Sequence, residues 1–402
     1  MLNGVTGVLS FFLHPLLWII ILSTFIVTNK RIKQERHLFN SRIYSGKMEW
    51  MRLLFVGLLI GISLSAIIWY TGVLVDFSWL FTLNLITLFM FVLLGYRGLS
   101  SAYTIGLATL VLIGLNFILL IAKSNDFLAF FSSGLMMQPR ILNGLSVLLV
   151  LCLLVEVLLV YLVLRRPMQP SRVKIRRGTI QGQFKYRSAL LLPLFMLLPV
   201  SEGGVLHATS WWPVFAVGNQ SFIPIVVPVI IGMGARIRSD KPQRVLKKRV
   251  VAILALALMV ALVSVAGYFY NWLTFTPFVV ALLGHMGIDL YFWLEDDPDS
   301  DKYHLSPNGI RVMGTRDTSA ARKMGIEPGE IITGCNGKSV YTRQDLYDAM
   351  NLNRAYVRLT VLDEFEEPRF VETALYEEDS FEMGLLFVEE SVIEEMTESV
   401  KS

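Results

Sequence analysis

The sequence predicts a polytopic α-helical membrane domain of seven to nine spans, followed at the C-terminus by a small β-barrel-like α+β domain. Three observations predict it. The 402-residue chain is 54% hydrophobic and 17% charged, where soluble chains carry about 25% charged residues. Apolar runs recur from Val8 to Leu294, most of them near the ~20 residues that a bilayer requires. The charge also changes sign at one place: residues 1–294 hold 25 Lys/Arg against 8 Asp/Glu, and residues 295–402 hold 11 against 24. Two parts of opposite character therefore meet near Leu294.

The apolar runs place candidate spans at 8–28, 53–75, 77–96, 101–122, 142–164, 189–206, 213–235, 250–270 and 273–294. The first run has no basic leader and no small-residue cleavage motif, so it reads as a retained span. The sixth and seventh are the weakest. "ALLLPLFMLLPV" is broken by Pro193 and Pro199, and "FIPIVVPVIIGMGA" is also interrupted by proline. They read as two spans or as one re-entrant hairpin, packed inside the bundle because non-helical backbone at membrane depth needs shielding by protein.

Orientation follows from the basic loops. The segments Asn29–Arg52, Arg165–Arg187 and Arg236–Arg249, with Arg97, hold 23 of the 25 basic residues of this part; Lys123 and Arg140 fall on the other side. The positive-inside rule puts the N-terminus outside and the acidic tail in the cytosol. The same loops suit attraction to anionic membrane lipid, at about 1 kcal/mol per basic residue, although topology alone accounts for them.

Three ionisable residues lie within apolar runs. Glu156 is mid-span, and His285 and Asp289 are four apart on one helix face. Such groups are functional candidates by default, as parts of a proton or ion path. The plainer reading is local pairing, with Glu156 protonated or bonded to a neighbouring helix. It is favoured because the sequence contains neither a second acid-rich span nor an inverted repeat. Signs of a protease are missing: there is no His-Glu-x-x-His, no Gly-x-Gly-Asp, and no Gly-x-Ser-x-Gly elbow near His14, His37, His207, His285 or His304. Cys152 and Cys335 lie in different parts, which argues against a disulfide or a structural zinc site. No catalytic residue, metal or cofactor is expected.

After the acidic linker 295–303 the periodicity changes. "GIRVMGT" reads as a strand. A short helix follows, capped by Thr318 or Ser319 and stopped at Gly325. "EIITGC" is a strand that turns back at Asn336-Gly337. Thr342 and Asp345 form a capping box for the helix Arg343–Asn351, which presents Leu346, Ala349 and Met350. "YVRLTVL", "RFVETALY" and "FEMGLLFV" are three more strands, giving five strands and two short helices. The division is then 1–294 membrane domain, 295–303 linker, 304–388 folded domain and 389–402 acidic tail.

The stretch "TSAARKMGIEPGEIITGCNGKSVYTRQDLYDAM" resembles the core of a bacterial-type PDZ domain. Ser319, Ala320, Gly325, Ile326, Gly329, Ile331, Asn336, Gly337, Val340, Asp345 and Leu346 match the family pattern. Thr318, Met324, Glu330 and Cys335 depart from it mildly. The resemblance implies a peptide-binding module, in which an extended segment adds to a sheet edge beside a helix. The carboxylate loop would be Met383, Gly384, Leu385 and Leu386, in a permuted arrangement, with Leu346 and Met350 on the helix. Asn308–Arg311 is the rival loop. For these side chains the alternative role is hydrophobic core.

The layout of the whole chain resembles that of the division-topology membrane proteins of Gram-positive bacteria, through "FFLHPLLW", the basic "RIKQERHLFNSRIY", the multispan body and the terminal PDZ domain. That resemblance implies a non-enzymatic adaptor at septum and poles, linking the scaffold DivIVA to MinD and MinC. It implies no nucleic-acid partner and is compatible with a homo-oligomer. A PDZ-bearing intramembrane protease or protease regulator, and a transporter with a PDZ accessory domain, are the other classes that fit the layout.

Overall fold

The computed structural model describes residues 11–39, 45–122, 138–165, 170–174, 180–200, 204, 206–207, 212–215, 221–297, 301–316, 319–353, 356–374 and 383–387. Among these, seven helices are long and apolar enough to cross a membrane: α1 (Pro15–His37), α2 (Lys47–Thr71), α3 (Phe77–Leu99), α4 (Ala102–Leu119), α5 (Pro139–Leu164), α6 (Pro242–Phe269) and α7 (Asn271–Glu295). Their outward faces are apolar. On α6, Val251, Leu258, Leu262 and Val265 are exposed along one stripe, as suits a helix in contact with acyl chains. Part of the first basic segment is helix instead of loop: Lys30, Arg31, Lys33 and Arg36 continue α1, and Arg31 pairs with Glu49 of α2 at 3.0 Å.

The expected spans 189–206 and 213–235 are not helices. The chain there forms β1 (Pro170–Lys174), β2 (Ile180–Val200), β3 (Leu206–His207) and β4 (Ser221–Ile237), a sheet in the order β1-β2-β4-β3. Proline explains the correction. Inside a helix each would remove a backbone bond and clash with the preceding turn, at about 3 kcal/mol or more, and the Val/Ile-rich β4 favours extended backbone. The β2–β4 register tolerates all of them. Pro193 faces Pro228, Pro199 faces Phe222, and Leu197 faces Pro224. All four prolines thus share one alternating class of position. Lacking an N–H, they belong to the class whose backbone points away from the partner strand.

That outward edge is satisfied by neighbours. Leu197 donates to the Val73 carbonyl (3.3 Å) and accepts from the Val75 amide (2.9 Å). The Ser65 hydroxyl of α2 donates to the Pro193 carbonyl (3.1 Å) and accepts from the Phe195 amide (3.0 Å). Such pairing is what buried backbone among spanning helices requires. Close approach makes it possible: a Cβ on Gly57 would strike the Leu191 backbone, and one on Gly61 would strike Pro193. The hairpin runs the depth of the helical layer. Arg52, near one end of α2, donates to Ser188 (2.9 Å), and Trp212 donates to the Trp69 carbonyl near the other end (2.9 Å). Leu190, Leu192, Leu194 and Met196 of β2 sit in the main apolar core with Leu145, Leu149 and Leu153 of α5.

The C-terminal part holds β5 (Ile310–Thr315), α8 (Ala320–Lys323), β6 (Ile331–Cys335), β7 (Lys338–Ser339), α9 (Arg343–Asn351), β8 (Tyr356–Leu362), β9 (Pro368–Ala374) and β10 (Leu385–Phe387). The strand order is β10-β5-β6-β8-β9, with β7 on β6. This is six strands where five were expected, because Lys338 and Ser339 pair as a strand of their own. The local signals act as read. The Ser319 side chain caps α8; the alternative cap Thr318 and the tail 389–402 lie outside the described residues. Asn336 and Gly337 have φ of 51° and 82°, the two positive angles of a type I′ hairpin turn. Thr342 and Asp345 form the reciprocal capping box, whose backbone hydrogen bonds hold the Asp345 carboxyl below its usual pKa. Val357, Leu359 and Val361 are fully buried in a second core with Leu346, Ala349 and Met350. The fold is a polytopic helical membrane domain joined to a PDZ-type domain.

The junction between the two is packed. Tyr303 is fully buried, its ring 5.1 Å from that of Phe184 on β2. Met313 and Leu386 extend the same apolar cluster. Around it Lys302 bridges Asp240 (2.8 Å) and Glu364 (2.6 Å), and Lys241 reaches Glu327 (2.7 Å) and Glu364 (3.3 Å). Hydrogen bonds from Lys302, then Lys241, hold the Glu364 carboxyl down at about 2. Burial, followed by the charges of Asp240 and Glu364, raises the Tyr303 hydroxyl above its usual range.

Candidate functional site: an open sheet edge and a buried polar network

Among the described residues, β10 is the terminal strand of its sheet and pairs with β5 alone. The preferred loop therefore borders an edge, while its rival Asn308–Arg311 leads into β5, an interior strand. Met383 and Gly384 enter β10 with φ of 47° and 73°. Their carbonyls turn inward, the Met383 oxygen accepting from the Ala321 amide (3.1 Å) and the Gly384 oxygen from the Arg316 amide (2.8 Å). A trans peptide sets its C=O and N–H on opposite sides. The amides of Gly384 and Leu385 thus face away from these partners, a donor arrangement suited to a carboxylate.

The side chains of the predicted site divide differently. Leu346, Met350, Met383 and Leu385 are buried in the domain's own core. Leu386 points to the other face, into the junction with the membrane domain. One polar group of that domain reaches the edge itself: Arg172 of β1 donates to the Phe387 carbonyl at 3.3 Å. Tyr303 and Glu364, which pin the domain in place, were not singled out by sequence. The available signal was an aromatic residue inside an otherwise acidic, charged linker.

Glu156, His285 and Asp289 form one network. The His285 Nε2 lies 2.8 Å from Glu156 Oε1, and its Nδ1 lies 3.6 Å from Asp289. Ser100 and Ser101 donate to the other Glu156 oxygen at 2.8 and 3.2 Å. Tyr103 donates to Asp289 at 3.0 Å, and Arg249 pairs with Asp289. The pairing is local, as expected, and Glu156 bonds a neighbouring helix: its contact with His285 links α5 to α7. Both partners are buried, so each offsets the desolvation of the other. Among the described residues no group of three or more His, Cys, Asp or Glu is placed to hold a metal ion.

The architecture defines a class: a multispan membrane protein that carries a PDZ-fold domain after its last span. No family model matches the chain. It is 30% identical over 380 residues to the cell division topological determinant MinJ of Bacillus subtilis, covering 94% of both chains. It is 24% identical over 396 residues to probable cell division topological determinants MinJ of Lacticaseibacillus paracasei and Lacticaseibacillus casei, covering 93% of this chain and 95% of theirs. The chain belongs to the MinJ family. The crystal structure of the PDZ domain of an SdrC-like protein from Listeria monocytogenes matches 21% of this chain and 90% of its own, at 18% identity and a TM-score of 0.18. The domain's fold accordingly rests on its own strand order and caps.

Proposed function

We propose that the protein is a non-enzymatic membrane adaptor in bacterial division-site selection. Its helical part is the anchor, with the N-terminus outside. Its C-terminal domain, 304–388, faces the cytosol and recruits division proteins, bridging a DivIVA-type scaffold to MinD and MinC at septum and poles. Membership of the MinJ family supports the division role. The single observation that supports recruitment is the one-sided pairing of β10 among the described residues, with the Gly384 and Leu385 amides turned away from the inward-facing carbonyls of Met383 and Gly384. A peptide would add antiparallel to β10, its terminal carboxylate at Met383–Leu386. Leu346 and Met350 act from beneath, as core that fixes α9.

The test is a fluorescent fusion of the full chain and of a version lacking residues 300–402, each scored for position and for placement of division septa. The full chain is expected at septa and poles. The truncated chain should keep its membrane position and give filaments or minicells. Uniform membrane fluorescence of the full chain would count against the adaptor reading. Normal division with the truncated chain would remove the role assigned to the C-terminal domain.

A further inference from the structure

Where α3 ends, α6 begins and α7 ends, the structure holds a cavity of about 1130 Å³. One side of its wall is cationic: Arg97 from the last turn of α3, Lys185 and Arg187 from β2, and Arg236 and Arg238 from β4. The strand register concentrates this charge, because Lys185 stands directly opposite Arg236. Like charges in that relation destabilise a sheet. Burial, and then Arg236, Arg187 and Arg238, depress the Lys185 ammonium below its ordinary pKa.

The acids in the wall already have partners. Asp240 holds Lys302 at 2.8 Å, Glu295 pairs with Lys248, and Asp296 accepts from the amides of Arg238 (2.7 Å) and Ser239 (3.3 Å). Among the described residues, the carboxylate that Arg97 reaches is Asp289, at 3.9 Å. Lys185, Arg187 and Arg236 have no carboxylate partner among the described residues. The cations thus outnumber their local counter-charges, and the two strands hold them in one place.

The other side of the wall is apolar and opens sideways. Leu93, Leu94, Trp293 and Leu294 line it and are exposed, on helices whose outer faces belong to the bilayer. Tryptophan favours the headgroup level of a membrane. Guanidinium groups match the oxygens of a phosphate. Basic pockets between spanning helices at the membrane surface are the sites that anionic headgroups fill.

We propose that this cavity binds the phosphate of an anionic phospholipid, with Lys185, Arg187, Arg236 and Arg238 around the headgroup and the acyl chains leaving past Leu94 and Trp293. Soluble phosphate esters share the headgroup's chemistry; the lateral apolar opening favours the lipid. The helix ends that frame the cavity coincide, so the site stands whichever side of the membrane it faces. It is also independent of the adaptor role.

The experiment is native mass spectrometry of the full-length protein from detergent micelles containing phosphatidylglycerol or phosphatidylcholine. One retained phosphatidylglycerol per chain is expected, and no retained phosphatidylcholine. In the variant Lys185→Gln/Arg187→Gln/Arg236→Gln the affinity should fall on the order of a hundredfold. Inorganic phosphate and glycerol 3-phosphate at millimolar concentration should not displace the lipid; displacement would assign the site to a soluble ligand and overturn the lipid reading. Undiminished phosphatidylglycerol binding by the triple variant would overturn the site altogether. If the triple variant does not fold, Lys185→Gln alone decides. It should lose about fivefold in lipid affinity while melting no lower than the parent in lipid-free detergent, because it also relieves the opposition to Arg236. Equal affinity, or a lower melting temperature without lipid, would refute the proposal.

Discussion

The β2–β4 hairpin and the C-terminal sheet are both antiparallel, and they are held by opposite means. The C-terminal strands alternate: β8 buries Val357, Leu359 and Val361 and turns the residues between them outward. Turn and cap chemistry then sets where each strand stops. The hairpin is apolar on both faces, from Leu190 to Leu198 and from Phe222 to Met233, and is fixed by what lies beside it. Ser65, the segment 73–75 and two glycines of α2 hold its edge. A sheet that makes its own core can be specified locally. A sheet buried among helices is specified by its neighbours.

The sharpest way to break this contrast is to damage each core where it is made. Leu346→Ala, at a fully buried position of the C-terminal core, should cost about 2–5 kcal/mol. Hydrogen exchange should show the loss confined to residues 301–387, with α5 and β2 unchanged; protection lost equally in both parts would mean a single cooperative unit. Gly57→Leu should act in the reverse direction, costing about 1–3 kcal/mol or more by overpacking against the Leu191 backbone. Gly114→Leu, where a Cβ meets nothing within 4 Å, is the control, and melting in detergent compares the two. Thr342→Ala should cost about 1 kcal/mol by removing the cap of α9, again felt only in the C-terminal part.

The smallest effect concerns the junction. Glu364 has its folded pKa lowered from 4.5 to about 2. A carboxyl lowered on folding contributes stability that is present above its unfolded pKa and lost as pH falls through the folded one. Exchange protection around Tyr303 should therefore hold from pH 7 to about pH 5 and weaken from there toward pH 2. Glu364→Gln should show weakened protection already at neutral pH. Protection that does not change with pH in the parent would shift the weight to the Tyr303–Phe184 contact.

Most of the C-terminal domain was legible because its signals are short-range. Asn336-Gly337, Thr342 with Asp345, Ser319 and Gly325 each fix a few dihedral angles without help from distant residues. Seven spans were legible for a similar reason, since length and hydropathy are local quantities. The hairpin was not. A run apolar on every side has neither a two-residue nor a 3.6-residue period, so only its prolines warned against a helix. The edge role of β10 could be read as a preference between two loops. That Leu386 faces the junction and Arg172 meets the Phe387 carbonyl depends on how two parts dock, which no spacing within one part encodes.

The four prolines also control what the hairpin cannot do. Sliding one strand past the other by a single residue would swing two imide nitrogens into places where the ladder needs donors, and would turn that strand's side chains over. A slide of two residues would keep both patterns. The hairpin is therefore a ratchet with two-residue teeth, and any alternative alignment it samples must carry Lys185 past Arg236 in steps of two.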